Sequence, residues 1–596
     1  MKTLGLPMSL SMFVLLGAES GCDFPASQGE AGTDSDASSG GNNGDSDDDD
    51  AIPTGDGESD GGEPVYGECG DEDLPVVHHF GVLTEPQTWG PAIHVLDGFV
   101  AVTAGLIVEP CARIELAANA ALDVFGGAAS LSGTADGPIV ITSASDNPQP
   151  GDWGSLRFDS TTVELRHTLV EFGGGTGDGA VEIAYGTTAS VTDCTIRGSG
   201  GVGMHITGAA EIVEFAGNTV VDNVGRPLVV PAEQAGQIGP GTYAPNETPG
   251  IQLLGSDVES DQTWLAHDTP WVSLGGFSLR NAGGSAHLTM APGSELQLGA
   301  NASLTVDTGG ALSLAGTPRD PIRVTSLTSA KASGDWGAID FLGTSVGPLN
   351  EIRHSVLEYG GEDDRGIVRL HPDASVAISD TTVMASAGFG IQAADGATLR
   401  EFDGNVLVDN EDGPLAISAE HVATLGAGTY APNVVEGIYV RHSVLDHDAT
   451  WIPLGIPINA PSGFDIRTAA GTARLVVDPG FEIGLGDGAR IDIGDNGALA
   501  LVGTASAPVR VRSMKEPGAG GDWDHIHVRS GSIGAHNSWS NAIIEHGGGH
   551  FFGQVWVETN AELTLDDVTF GVAGDGCDIE QSGLVTATDS PYTPCE

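Results

Sequence analysis

The sequence predicts an all-β solenoid, and three observations carry that expectation. A block recurs along the chain. Gly151-Asp152-Trp153 is followed by Glu171-Phe172-Gly173-Gly174, Gly334-Asp335-Trp336 by Glu358-Tyr359-Gly360-Gly361, and Gly521-Asp522-Trp523 by Glu545-His546-Gly547-Gly548. The interval from Glu171 to Glu358 equals that from Glu358 to Glu545, and the tryptophans keep nearly the same interval, a regularity that marks three long internal repeats. Within each repeat, apolar and polar residues alternate over very short runs such as Ile114-Glu115-Leu116 and Leu122-Asp123-Val124. This is the period of half-buried strands, and no long stretch of 3.6-residue period competes with it. Finally, Gly contributes 89 of 596 residues and charged side chains only 17%, while Asn-Gly hairpin dipeptides between runs are scarce. The strands are therefore expected to bend and continue in one direction, as in a parallel β-helix, and helices to be rare.

In chain order, the first element is residues 1–22. One early cation, Lys2, precedes an apolar run from Leu4 to Ala18 that is too short to span a bilayer and reads as an export signal. It ends in Glu19-Ser20-Gly21-Cys22. Gly21-Cys22 resembles the end of the bacterial lipobox, although Glu19 stands where that motif carries an aliphatic residue. The resemblance implies a lipid on Cys22 and a site at the bacterial outer membrane or cell surface, with plain secretion as the alternative. No later segment is apolar for long enough to span, so a membrane would be met through lipid alone. Residues 23–75 hold 17 acidic and no basic side chains, including Asp47-Asp48-Asp49-Asp50. Such a stretch buries nothing and repels itself, so it is expected to be a disordered acidic tether, with weak calcium binding as a lesser reading.

The body divides into repeat 1 (76–262), repeat 2 (263–449) and a truncated repeat 3 with a C-terminal cap (450–596). A second block supports duplication: Gly217-Asn218-Thr219-Val220-Val221-Asp222-Asn223 matches Gly404-Asn405-Val406-Leu407-Val408-Asp409-Asn410 at the interval of the repeated glutamates. Cysteines stand where repeats differ. Cys111 replaces a turn glycine, Gly293 or Gly480, only in the unit beside Cys69, which suggests a Cys69–Cys111 bridge; Cys577 and Cys595 suggest a second at the other end. Cys194 aligns with Thr381 and Val568 and is expected to be a small packed residue.

The order Gln87-Thr88-Trp89, Val108-Glu109-Pro110, Gly133-Thr134, Pro138-Ile139-Val140-Ile141, Gly151-Asp152-Trp153 and Glu171-Phe172-Gly173-Gly174 resembles the repeat pattern of bacterial secreted proteins of the right-handed parallel β-helix superfamily. That superfamily includes pectate lyases. The resemblance covers almost all of residues 80–575 and implies the fold; a polysaccharide lyase or glycoside hydrolase activity is its functional implication. Motifs like the catalytic carboxylates and bases of those enzymes are not visible, and a carboxylate present in every repeat reads as architecture, not as one active site.

Charge narrows the partners. Acidic residues number 82 against 22 basic, and beyond residue 75 the body alone carries 64 against 21. Phosphate backbones would be repelled, so no nucleic-acid partner is expected, and polyanionic sugars would need a bridging cation. Function is sought where a repeat departs from its siblings. Repeat 3 has Asp524-His525-Ile526-His527 and His546, with His550 close by. His525 and His527 share a strand face, and with His546 from a neighbouring coil they could hold a metal such as zinc. Otherwise no cofactor is expected beyond calcium. His167 and His354 align with Asn541 and are expected to be packed ladder residues. The preferred expectation is a non-catalytic cell-surface β-helix lipoprotein that binds polysaccharide or an envelope protein, or serves as an adhesin-like rod.

Overall fold

The computed structural model describes Cys69 and residues 74–595, apart from 177, 178, 256 and 551, with Asp364 described in its backbone alone. The expected export signal, Cys22 and nearly all of the acidic tether lie outside the described residues. The rest is a parallel β-solenoid of about 19 turns in which 3% of the chain is helical. Among the described residues the one α-helix is the short Ala419–Val422. No described helix is long and apolar enough to cross a membrane.

Each turn supplies short strands that pair in parallel with the turns before and after. Val181 pairs with Leu156 on one side and with Met204 on the other. Where a turn carries an excursion the step along the chain is longer, as between the partners Val124 and Phe158. Alternation decides which side chains enter the core. Leu131, Leu165, Val191 and Phe215 occupy one inward position on four successive turns, all buried. Each such side chain contributes roughly 1.5–3 kcal/mol of burial free energy, and like stacks on like because strands repeat every ~4.8 Å.

The repeated blocks form one structural device. The indoles of Trp153, Trp336 and Trp523 are fully buried. Each donates its Nε1–H to the main-chain carbonyl of the repeated glutamate, Glu171, Glu358 or Glu545, at 2.8, 2.8 and 2.9 Å. The glycine two residues after that glutamate lies flat on the ring. A Cβ added at Gly173, Gly360 or Gly547 would come within 2.7 Å of the indole. The residue between, Phe172, Tyr359 or His546, turns the corner with a positive φ of 63°, 65° or 72°. The aspartates cap the preceding turns. Asp152 accepts from Ser143 Oγ at 2.8 Å and Gln149 N at 3.0 Å, and Asp335 from Ser326 Oγ at 2.6 Å and Ala332 N at 2.9 Å. Asp522 accepts from Ala519 N at 2.7 Å.

Buried asparagines inside the coil are satisfied in ladders. Asn223 Nδ2 and its main-chain N–H both donate to Asn246 Oδ1, at 2.9 and 3.0 Å, and Asn410 repeats the pattern on Asn433 at 3.0 Å for both. Such pairing removes the penalty of burying an amide. Disulfides join Cys69 to Cys111 and Cys577 to Cys595. Cys111 keeps the left-handed backbone of its glycine counterparts, with φ of 66° beside 83° at Gly293 and 85° at Gly480. That conformation costs a side-chain-bearing residue roughly 1–2 kcal/mol, and the covalent link offsets it. Cys194 is buried, its thiol pushed up to about 12 by burial.

His167 and His354 are not packed ladder residues. With Asn541 they share a left-handed backbone, φ of 41°, 44° and 45°, and their rings are about one-quarter exposed beside Asp193 and Asp380. Their alignment reflects a turn geometry that Asn and His both adopt.

Candidate functional site

The residue four positions after each repeated tryptophan points away from the core, and there the repeats differ. Arg157, Asp340 and His527 hold this place, and on the following turn each pairs in register with Glu182, Arg369 or Trp556. In repeat 1 Arg157 donates to Glu182 at 3.3 Å and Asp159 at 2.9 Å. In repeat 2 the signs are exchanged: Asp340 forms an ion pair with Arg369 at 3.2 Å and accepts from His371 at 2.9 Å. One outer row therefore carries three different side-chain arrangements on the same scaffold.

Repeat 3 adds aromatic rings. The strand Ile526–Val528 sends Ile526 and Val528 inward, leaving His527 on the outer face. Its ring lies flat against Trp556, with centroids 4.0 Å apart and planes 9° apart. Phe552 stacks on Trp556 at 4.5 Å, and His525 meets His527 edge-on at 5.5 Å. In-register pairing of the strands Ile526–Val528 and Val555–Val557 dictates the His527 and Trp556 contact, since side chains at partnered positions sit one strand spacing apart.

Carboxylates rim this stack. His527 Nε2 lies 3.0 Å from Glu558 Oε1, and Glu558 also accepts from Ser530 N at 2.9 Å. Arg529 holds Asp492 with a two-pronged pair of bonds at 2.5 and 2.6 Å, and Asp492 Oδ2 is 3.8 Å from His527 Nδ1. Burial lowers the His527 pKa, with Asp492 opposing the shift. Burial would raise Glu558, but the Ser530 and His527 bonds outweigh it and the carboxyl titrates low. In the contact itself, the imidazole Nε2–H of His527 donates and the Glu558 carboxyl accepts.

His525 is only 3% exposed, and neither ring nitrogen has a hydrogen-bond partner. Its Nδ1 is 3.0 Å from Asp524 Oδ1, but at an angle outside hydrogen-bond geometry. Burial lowers its pKa too, against the pull of Asp524. The expected trio of metal ligands is not assembled. His525 and His527 share a face, whereas His546 occupies the left-handed corner of its repeat and faces the backbone of Gly518, where an added Cβ would approach its Nδ1 to 2.5 Å. Among the described residues the one group of three potential ligands with donor atoms within 4.8 Å is Asp575, Cys577 and Cys595. Its two sulfurs are consumed by their disulfide.

No family model matches the chain, and no curated protein matches its sequence. Geometry is then the ground for a functional reading. His527 is only 4% exposed and one face of its ring is covered by Trp556, so its imidazole has little open surface to offer a substrate. Phe552, Trp556, Glu558 and Arg529 instead combine apolar ring surface with oriented acceptors and donors. In the sequence, His525 and His527 stand out through their departure from the repeat. Trp556, Phe552, Glu558 and Asp492 do not, although a search for outward positions in register with His527 would have reached Trp556 and Asp492.

Proposed function

We propose that the chain is an exported, non-catalytic solenoid of the right-handed parallel β-helix type, held at a bacterial surface through lipid on Cys22, that binds glycan with the outer face of its third repeat. The observation that carries the reading is the Phe552, Trp556 and His527 stack with Glu558 and Arg529 at its edge. Aromatic rings that end an apolar surface beside fixed hydrogen-bonding groups suit the mixed apolar and hydroxylated faces of sugars. The repetition of Asp152, Asp335 and Asp522 as turn caps, and of glutamates whose main-chain carbonyls accept from the indoles, supports binding over catalysis. The resemblance to the pectate-lyase-like superfamily keeps a lyase or hydrolase as the second reading, favoured by the His527 and Glu558 contact.

The test is to incubate the purified protein with a polysaccharide panel, with and without calcium, following bound glycan, new reducing ends and unsaturated products together. Binding without turnover, weakened about tenfold or more by Trp556→Ala, is expected. Turnover that disappears in His527→Ala would replace this reading with the enzymatic one. The anchor is tested separately by mass spectrometry of the mature N-terminus; an unmodified Cys22 would refute it.

A further inference from the structure

A hollow of about 360 Å³ opens on the outer face of the second repeat, lined among others by Arg369, His371, Ala394, Arg441 and His442. That volume is at the lower end of the range for small-molecule sites, about 300–1,000 Å³. Its origin is a row of positions on successive turns, His371, Ala394, Ser418 and Arg441, that continues the pairing of Leu370 with Ala393 and of Ile417 with Val440. The two middle members are small. Ser418 turns inward to bond His421, and Ala394 offers only a methyl group, so the space between the large end members stays unfilled.

Four groups able to carry positive charge line this space beside a single lining carboxylate, Asp395, in a chain whose formal net charge is −60, and one of the four, His371, is bonded to Asp340 at 2.9 Å. All four belong to this repeat alone: the equivalent positions of the first repeat hold Glu182, Ala184, Leu254 and Gly255. Arg441 is the unusual member. Its Nη1 reaches back over two turns to the carbonyls of Ala393 at 2.7 Å and Ala416 at 3.0 Å. Those bonds use both Nη1 protons and fix the guanidinium. Among the described residues its Nε and Nη2 donate to no acceptor, and no carboxylate lies within 4.0 Å of it. Burial lowers its pKa, and the attraction of Asp395 does not offset that cost. Arg369 is already paired with Asp340, and His442 lies 3.7 Å from Asp465. The Nε and Nη2 edge left over is the planar fork that matches a carboxylate with two parallel bonds.

We infer that this hollow is a binding site for a carboxylate-bearing ligand of monosaccharide size, gripped by the free edge of Arg441. It is separate from the aromatic face of the third repeat and does not depend on that face binding glycan. It also gives a body of strongly negative charge a local means of accepting an anionic sugar without a bridging cation.

The test is calorimetric titration of the whole protein with sodium glucuronate, glucose and glucose 6-sulfate at roughly physiological salt with a chelator present, conditions under which long-range repulsion is screened beyond about 8 Å. Glucuronate is expected to bind at least tenfold more tightly than either other sugar. Arg441→Leu, the residue of the first repeat, should weaken glucuronate at least tenfold. Because that change also removes two backbone contacts, Ala394→Leu is the second variant: it fills the hollow, leaves Arg441 in place, and should weaken glucuronate equally while the melting temperature stays within a few degrees. Arg157→Ala, on the outer row of the first repeat, should leave glucuronate binding unchanged. Equal affinity for glucuronate and glucose, preference for the sulfate, or glucuronate binding that survives Ala394→Leu would overturn the proposal.

Discussion

The buried corners and the outer row obey opposite rules. At the corners, Trp153, Trp336 and Trp523 make the same bond to the same carbonyl against the same glycine. Four residues further on, Arg157, Asp340 and His527 share a backbone position and no chemistry. The corner is constrained by an indole in van der Waals contact with backbone, where one added carbon has nowhere to go. The outer position is constrained only by the pleat, which fixes the direction of a side chain and not its type. Repetition along this chain therefore marks packing, and its failure marks the places where binding chemistry can be introduced without disturbing the coil.

Substitutions can break or sharpen that contrast. The largest effect is expected for Trp336→Ala, which empties a fully buried indole site and should cost about 3–5 kcal/mol in denaturant unfolding. Gly360→Ala adds a single carbon against the same ring and should cost about 1–3 kcal/mol; a neutral result would show that the corner is not rigid. The third comparison is between corners. Glu358 is 4% exposed and accepts from Arg323 and, at 2.7 Å, Thr325 Oγ1, whereas Glu545 is 23% exposed with one contact from Arg510 at 3.4 Å. Glu358→Gln should therefore cost about 1 kcal/mol and Glu545→Gln less than about 0.5 kcal/mol. The smallest effect is expected at the outer row, where Arg157→Ala should shift stability by no more than about 0.5 kcal/mol.

Acid tests the same contrast from another side. Burial lowers the His267 pKa from 6.5 to about 4. The unfolded chain takes up a proton there as pH falls through the ordinary histidine range, while the folded chain resists until about pH 4. The stability this group preserves is complete above pH 6.5 and is lost progressively down to about pH 4. The denaturation midpoint should fall over that window, and His267→Gln should flatten the slope. An unchanged slope in the variant would assign the acid sensitivity to other groups.

The solenoid was legible in the sequence because period-two alternation and a regular internal repeat are local signals that stacking preserves. The disulfides were legible for the same reason, since Cys111 interrupts a glycine position shared by Gly293 and Gly480. What escaped was contact between turns. Trp556 and His527 are remote in sequence and adjacent in space, a relation set by the lengths of the intervening loops. His546 misled because it sits close in sequence to the histidines of its own repeat, while the left-handed corner turns it elsewhere. The hollow beside Ala394 was hidden more deeply, since its defining feature is a pair of small side chains between two large ones in a row that crosses successive turns.

The two disulfides also govern how the stack would carry a load. In a parallel coil the ladder bonds run along the stacking direction, so a pull applied at one end opens them one rung at a time. A pull arriving through residues ahead of Cys69 passes directly to Cys111, 42 residues on, and the strands Val76–Leu83, Gln87–Trp89, Ile93–Val102 and Leu106–Val108 are left out of the force path. The Cys577–Cys595 link does the same for the final 18-residue loop. Peeling would have to begin inside the stack, where each turn is held on both sides, and so the covalent links act as grips set inward from the ends.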